Sequence, residues 1–73
     1  MNFQEFDLNL LTVFVQLHKD RQVSLAADNL GVSQPAVSGA LKRLRILLAD
    51  EVFVRTSRGM QPTPLAEQLL TPI

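Results

Sequence analysis

Apolar positions recur along this chain at helical spacing in three places and at strand spacing in one. From Leu8 to His18 the period is that of a helix. Leu10, Val13, Phe14 and Leu17 share one face, while Leu8, Leu11 and Val15 share a second face nearly opposite. Asn9, Thr12 and Gln16 form a narrow polar stripe between them. Asp7 is the expected N-cap, its charge matched to a helix N-terminus. A helix apolar on two sides in so short a chain needs a second thing to pack against, either a later helix of the same chain or one from a partner. Lys19-Asp20-Arg21-Gln22 reads as a polar loop.

The stretch Ser24–Arg45 carries the strongest local signals. It predicts a short helix capped by Ser24, a turn at Gly31, and a longer helix capped by Ser33. Gly31 stands where the chain must reverse with a positive φ, which glycine adopts without a Cβ clash. Pro35 falls in the first turn of the second helix, where a missing N–H costs nothing. Ala27 is small enough to let the two helices approach, and Val32 and Val37 are expected to fill the angle between them. These spacings predict a helix-turn-helix.

The second helix has two faces. Val37, Leu41, Leu44 and Leu48 form an apolar stripe. Gln34, Ser38, Lys42 and Arg45 lie on a different face that contains no acid. Short hydrogen-bonding groups come first and cations later. A helix entering the major groove needs that order, amides and hydroxyls for base edges and cations for phosphates. An ordinary solvated polar face is the competing reading. The turn, the caps and the missing acids together favour DNA binding.

Beyond Leu48 the helical period breaks at Ala49-Asp50-Glu51. Val52-Phe53-Val54-Arg55-Thr56 is β-branched and aromatic and predicts a strand. Ser57-Arg58-Gly59 is a turn, and Met60-Gln61-Pro62-Thr63 returns as a second strand. The expected fold is therefore mostly α: a winged helix-turn-helix with a three-helix core and a two-stranded wing. Arg58 at the wing tip is placed to reach a phosphate or a minor groove. Thr63 and Pro64 open a further helix as N-cap and N1, with Leu65, Ala66, Leu69 and Leu70 as its apolar stripe. Residues 1–62 are read as the DNA-binding domain and residues 63–73 as the start of a linker helix. Its stripe still runs at the terminus, with Pro72 next to last, which points to a fragment of something longer.

Composition narrows the function. The 73 residues make at most one domain. There is no cysteine, which removes disulfides, thiolate metal sites and cysteine nucleophiles. His18 has no second imidazole or spaced carboxylate beside it, so no metal, cofactor or catalytic role is expected, and no phosphate-binding glycine loop supports an enzyme. No apolar run spans a membrane and the N-terminus lacks a signal peptide's features, so a cytoplasmic location is expected. The net charge of zero argues at first against nucleic acid. Its distribution does not. Residues 1–32 hold Lys19 and Arg21 against Glu5, Asp7, Asp20 and Asp28, while residues 33–61 hold Lys42, Arg43, Arg45, Arg55 and Arg58 against Asp50 and Glu51.

Several segments resemble a known family in order and spacing. Asp7-Leu8-Asn9-Leu10-Leu11, Ala26-Ala27, Leu30 to Ser38, Leu41 to Arg45, Val52 to Arg55 and Gly59 to Thr63 are similar to the N-terminal domain of LysR-type bacterial transcriptional regulators. The chain is also similar to the subgroup of activators of aromatic-compound degradation and nodulation. The resemblance implies a homodimer through an antiparallel linker helix beginning at Thr63, and a small-molecule effector bound by a C-terminal domain absent from this chain. It implies base contacts from Gln34, Pro35 and Ser38, and a wing contact from Arg58. The family commonly has arginine where this chain has Gly39. The expected set contacting double-stranded DNA is Ser33, Gln34, Pro35, Ser38, Lys42, Arg45 and Arg58. A module that binds another protein and no DNA is the alternative.

Overall fold

The computed structural model describes residues 3–71, with side chains from Leu10 to Thr71. Four helices and one hairpin follow in the order α1 Phe3–Asp20, α2 Val23–Leu30, α3 Gln34–Leu48, β1 Phe53–Thr56, β2 Gly59–Pro62 and α4 Pro64–Leu70. Two ends of α1 differ from the sequence reading. The helix starts upstream of Asp7, which is therefore an interior residue and not the cap; Phe3 and Phe6 extend the apolar spacing of Leu10 and Val13 in the sequence. It also runs through Lys19 and Asp20, so the loop shrinks to Arg21-Gln22. Gln16 and Asn29 donate to the Asp20 carboxylate at 2.7 and 2.9 Å, which ties the last turn of α1 to α2. The Leu8 side chain and Pro72 lie outside the described residues.

Ser24 does not cap α2. The helix begins one residue earlier, with Gln22 in extended conformation at the N-cap and no side-chain cap bond. The reason lies upstream: Arg21 takes φ 65° and reverses the chain before Ser24 can. The other end follows expectation. Gly31 is left-handed at φ 71°, and the Val32 N–H closes on the Ala27 carbonyl at 3.0 Å. Ser33 Oγ accepts the Ala36 N–H at 3.2 Å and starts α3, with Pro35 in its first turn.

Leu10, Val13, Phe14 and Leu17 of α1 pack against Val37, Ala40, Leu41 and Leu44 of α3, with Ala26 and Ala27 of α2 completing the three-helix core. Both alanines are essentially buried, consistent with close helix approach. Val37 fills the angle as expected, but Val32 is 46% exposed and does not. Val32 precedes the N-cap of α3, and the Gly31 turn carries it to the surface. Phe53 joins the core edge-on to Phe14, with ring centroids 5.9 Å apart.

The wing is shorter than its sequence pattern. Val52 is buried at φ 67° and stays outside the strand, while Gly59 is the first residue of β2 and Thr63 leaves it to cap α4. The strands pair antiparallel, Phe53 with Pro62 and Thr56 with Gly59, across Ser57-Arg58. Thr63 Oγ1 accepts the Ala66 N–H at 3.2 Å and donates to Asp50 at 2.6 Å. The same carboxylate accepts the Val52 N–H at 2.8 Å. Ala66 is buried and Leu70 packs against the core, but Leu69 is 52% exposed, so the predicted α4 stripe is divided between core and surface. His18 Nε2 hydrogen-bonds Glu67 and links α1 to α4.

Candidate nucleic-acid interface

The first two turns of α3 project beyond the core. Gln34, Pro35, Ala36 and Ser38 are exposed there, while Val37 anchors the helix beneath them. Ser33 is exposed as well, its hydroxyl engaged in the cap. Gln34 and Ser38 line one wall of a cleft of about 460 Å³. Arg21 and Gln22 of the connection between α1 and α2, with Val23 and Ser24 at the start of α2, form its second wall. Arg55, Thr56, Ser57, Gly59 and Met60 of the wing form the third. Among the described residues, the lining holds two guanidinium side chains and no carboxylate. Such a cleft favours an anion, and α2 adds its N-terminal end, where Gln22 supplies no side-chain cap.

The expected site residues divide into three groups. Gln34 and Ser38 meet in the cleft. Ser33, Pro35, Lys42 and Arg58 are exposed outside its lining, with Arg58 at the wing tip. The tip is shaped by Thr56, whose Oγ1 accepts the Arg58 N–H at 3.1 Å and donates to the Gly59 carbonyl at 2.9 Å. Arg45 is committed elsewhere. Its Nε donates to the Glu51 carbonyl at 2.8 Å and its Nη2 to the Phe53 carbonyl at 2.8 Å, with the Glu51 carboxylate 3.8 Å away.

Arg55 is the cation that helix periodicity passed over. The signal for it was strand alternation: Arg55 follows Phe53 by two positions and shares its face, and, exposed itself, it lines the cleft opposite Gln34 and Ser38. Arg21 and Gln22 were read as loop and are in fact cleft wall. Among the described residues no cluster of three metal-ligating side chains occurs, and no helix is long and apolar enough to cross a membrane.

A family model described as bacterial regulatory helix-turn-helix protein, lysR family, matches residues 8–67. The chain is 59% identical over all 73 residues to the HTH-type transcriptional activator NahR of Pseudomonas putida, and covers 24% of it. It is 56% identical over the same span to the HTH-type transcriptional activator NagR of a Ralstonia species, again 24% of that protein. A crystal structure of a probable transcriptional regulator from Pseudomonas aeruginosa superposes with a TM-score of 0.82 at 52% identity, over 86% of this chain and 21% of that one. The chain thus spans about a quarter of the length of these relatives.

Proposed function

The chain belongs to the lysR family of bacterial regulatory helix-turn-helix proteins, and from that premise we propose how it engages DNA. It is the DNA-binding domain of a transcriptional regulator and not an enzyme. In the proposed complex α3 enters the major groove by its N-terminal end. The Gln34 amide and Ser38 hydroxyl address base edges, Pro35 lies against a base, and the Ser33 end of the helix and Lys42 meet phosphates. Arg58 follows the duplex into the neighbouring groove or onto its backbone. Arg55 adds a phosphate contact from the cleft. Arg45 receives no DNA contact in this reading, because its Nε and Nη2 already donate to main-chain carbonyls.

The observation that carries the reading is the cleft: Arg55 on one wall, the added positive charge of Arg21 on another and no carboxylate in the lining, set against the exposed start of α3. The test is a duplex mobility shift across a salt series. Binding through several phosphates weakens steeply between 50 and 200 mM salt, roughly as the 0.9 power of salt per phosphate contact. Absent or salt-indifferent binding would replace this reading with a protein-binding module.

The finer assembly is part of the same proposal. Residues 1–62 form the DNA-reading unit, and Thr63 begins the helix through which a second copy associates. Leu11 and Val15 on α1 and Leu69 on α4 are exposed at 55, 48 and 52%, an apolar surface suited to that contact. Sedimentation that remains monomeric at high concentration, in a chain extended beyond Ile73, would remove the linker helix as the contact. A small-molecule effector would act through a domain outside these residues, and the site of action is the bacterial cytoplasm, where the DNA lies.

A further inference from the structure

We propose that Arg21 and Arg45 are positioning residues that hold the wing in place from its two sides, so that Arg55 and Arg58 are presented to the duplex that Gln34 reads. The inference rests on the DNA-binding reading above. A hairpin of two strands is marginal by itself. Among the described residues the β1–β2 hairpin has no third strand, so its orientation comes from Phe53 and Met60 buried in the core and from hydrogen bonds to the helices and their connection.

Those bonds converge on two arginines. From α3, Arg45 donates through Nε to the Glu51 carbonyl and through Nη2 to the Phe53 carbonyl, both at 2.8 Å. It therefore grips the approach to β1 and its first residue. From the end of α1, Arg21 holds β2. Its φ of 65° turns its carbonyl outward, where it accepts the Met60 N–H at 2.6 Å. Its Nε donates to the His18 carbonyl at 2.5 Å, and its Nη1 reaches Gln61 Oε1 at 3.4 Å. The guanidinium thus bridges the end of α1 to β2. Gly59 permits the approach, because a Cβ there would stand 2.6 Å from the Arg21 carbonyl oxygen.

Each guanidinium serves two acceptors at once through separate nitrogens. Lysine keeps the charge but carries its three N–H donors on one nitrogen, without the fixed planar fork that reaches the two acceptors through separate nitrogens. Charge and geometry can therefore be separated by mutation.

The test measures binding of the chain to a random-sequence 25-base-pair duplex by fluorescence anisotropy across a salt series. The wild-type chain should bind in a salt-sensitive manner, and Arg58→Ala should weaken it. Arg45→Lys and Arg21→Lys should each lower affinity about tenfold although no charge is lost, and Arg58→Ala should then cost little more, because an unheld wing no longer presents Arg58. Arg21→Gly provides the folding control: glycine takes the left-handed turn without strain, so the fold survives while the side-chain bridge is gone, and binding should fall as in Arg21→Lys. If the lysine variants bind as the wild type does, or if the Arg58→Ala loss simply multiplies with theirs, both arginines act on phosphate directly and the inference is wrong. Wild-type binding by Arg21→Gly would likewise overturn the Arg21 bridge. Indifference of the wild-type chain to Arg58→Ala would take the wing out of the interface and the inference with it, while salt-sensitive binding would leave the DNA-binding reading standing. No duplex binding at all would remove both.

Discussion

Replacing Gly39 by arginine should stabilise the domain and tighten its hold on any duplex. Gly39 sits inside α3 between Ser38 and Lys42, where the family resemblance places arginine. Glycine in a helix interior costs about 0.5–1 kcal/mol relative to alanine, and arginine is a good helix former. Nothing lies within 4 Å of a Cβ built at this position, so the new side chain leaves the backbone into open space. Its φ is not in the left-handed region, unlike that of Gly31 or Gly59. For a domain of this size the gain corresponds to a rise in Tm of roughly 2–8 °C. An added phosphate contact should steepen the dependence of log affinity on log salt by about 0.9. The advantage over the wild-type chain should therefore shrink roughly 3.5-fold between 50 and 200 mM salt. Thermal melting and a salt series of anisotropy titrations read both quantities. A competing explanation is that the DNA backbone approaches α3 so closely at residue 39 that only glycine fits. Loss of site-specific binding by a fully folded Gly39→Arg chain would establish that explanation and refute this one.

Other perturbations test separate parts of the structure. Gln34→Ala should cost about 1–3 kcal/mol on a duplex selected from a randomised pool and little on the unselected pool; equal losses on both would show that Gln34 only orients the domain. Gly59→Ala should lower stability by about 1–3 kcal/mol in a denaturant titration, since φ is 101° and the Arg21 carbonyl blocks the new Cβ; an unchanged midpoint would mean that the wing does not press on α1. The Thr63 hydroxyl and then the Val52 N–H hold the Asp50 carboxyl below the usual carboxylate range. A depressed folded-state pKa gives stability that is present above the unfolded value and lost as pH falls through the folded one. Asp50→Asn should thus melt below the wild-type chain at pH 6, with the gap closing as pH falls below about 4; a gap independent of pH would deny Asp50 this role.

What could be read in the sequence was what neighbouring residues encode among themselves. Gly31, Ser33 and Thr63 act through atoms two to five residues away, so their turn and caps appear in the structure as read. Val37, Leu41 and Leu44 needed only the helical period. Ser24 was misread because a better cap residue competes with a tighter geometric constraint. Arg21 turns the chain at φ 65°, and Gln22 is already extended when Ser24 arrives. Ala49 at φ 49° and Val52 at φ 67° are of the same kind. Alanine and valine are poor residues for that conformation, and a local reading assigns it to glycine or asparagine.

The proposed division of the cations follows from those turns. On a helical wheel Arg45 belongs with Gln34, Ser38 and Lys42, and nothing in the charge pattern separates it from them. Whether an arginine is available to DNA depends on the carbonyls around it. The left-handed kinks at Ala49 and Val52 swing the connecting segment back along α3 and expose the Glu51 and Phe53 carbonyls to that face. The Glu51 carbonyl already accepts the Phe53 N–H at 2.7 Å and gains Arg45 as a second donor, while the Phe53 carbonyl stands opposite Pro62, which has no N–H to give, and takes its bond from the same arginine. Arg55 faces no such demand and lines the cleft instead. In the proposed complex the positive charge facing the groove therefore comes from the wing as well as from the recognition helix, and a wing that carries charge has to be held firmly against that helix.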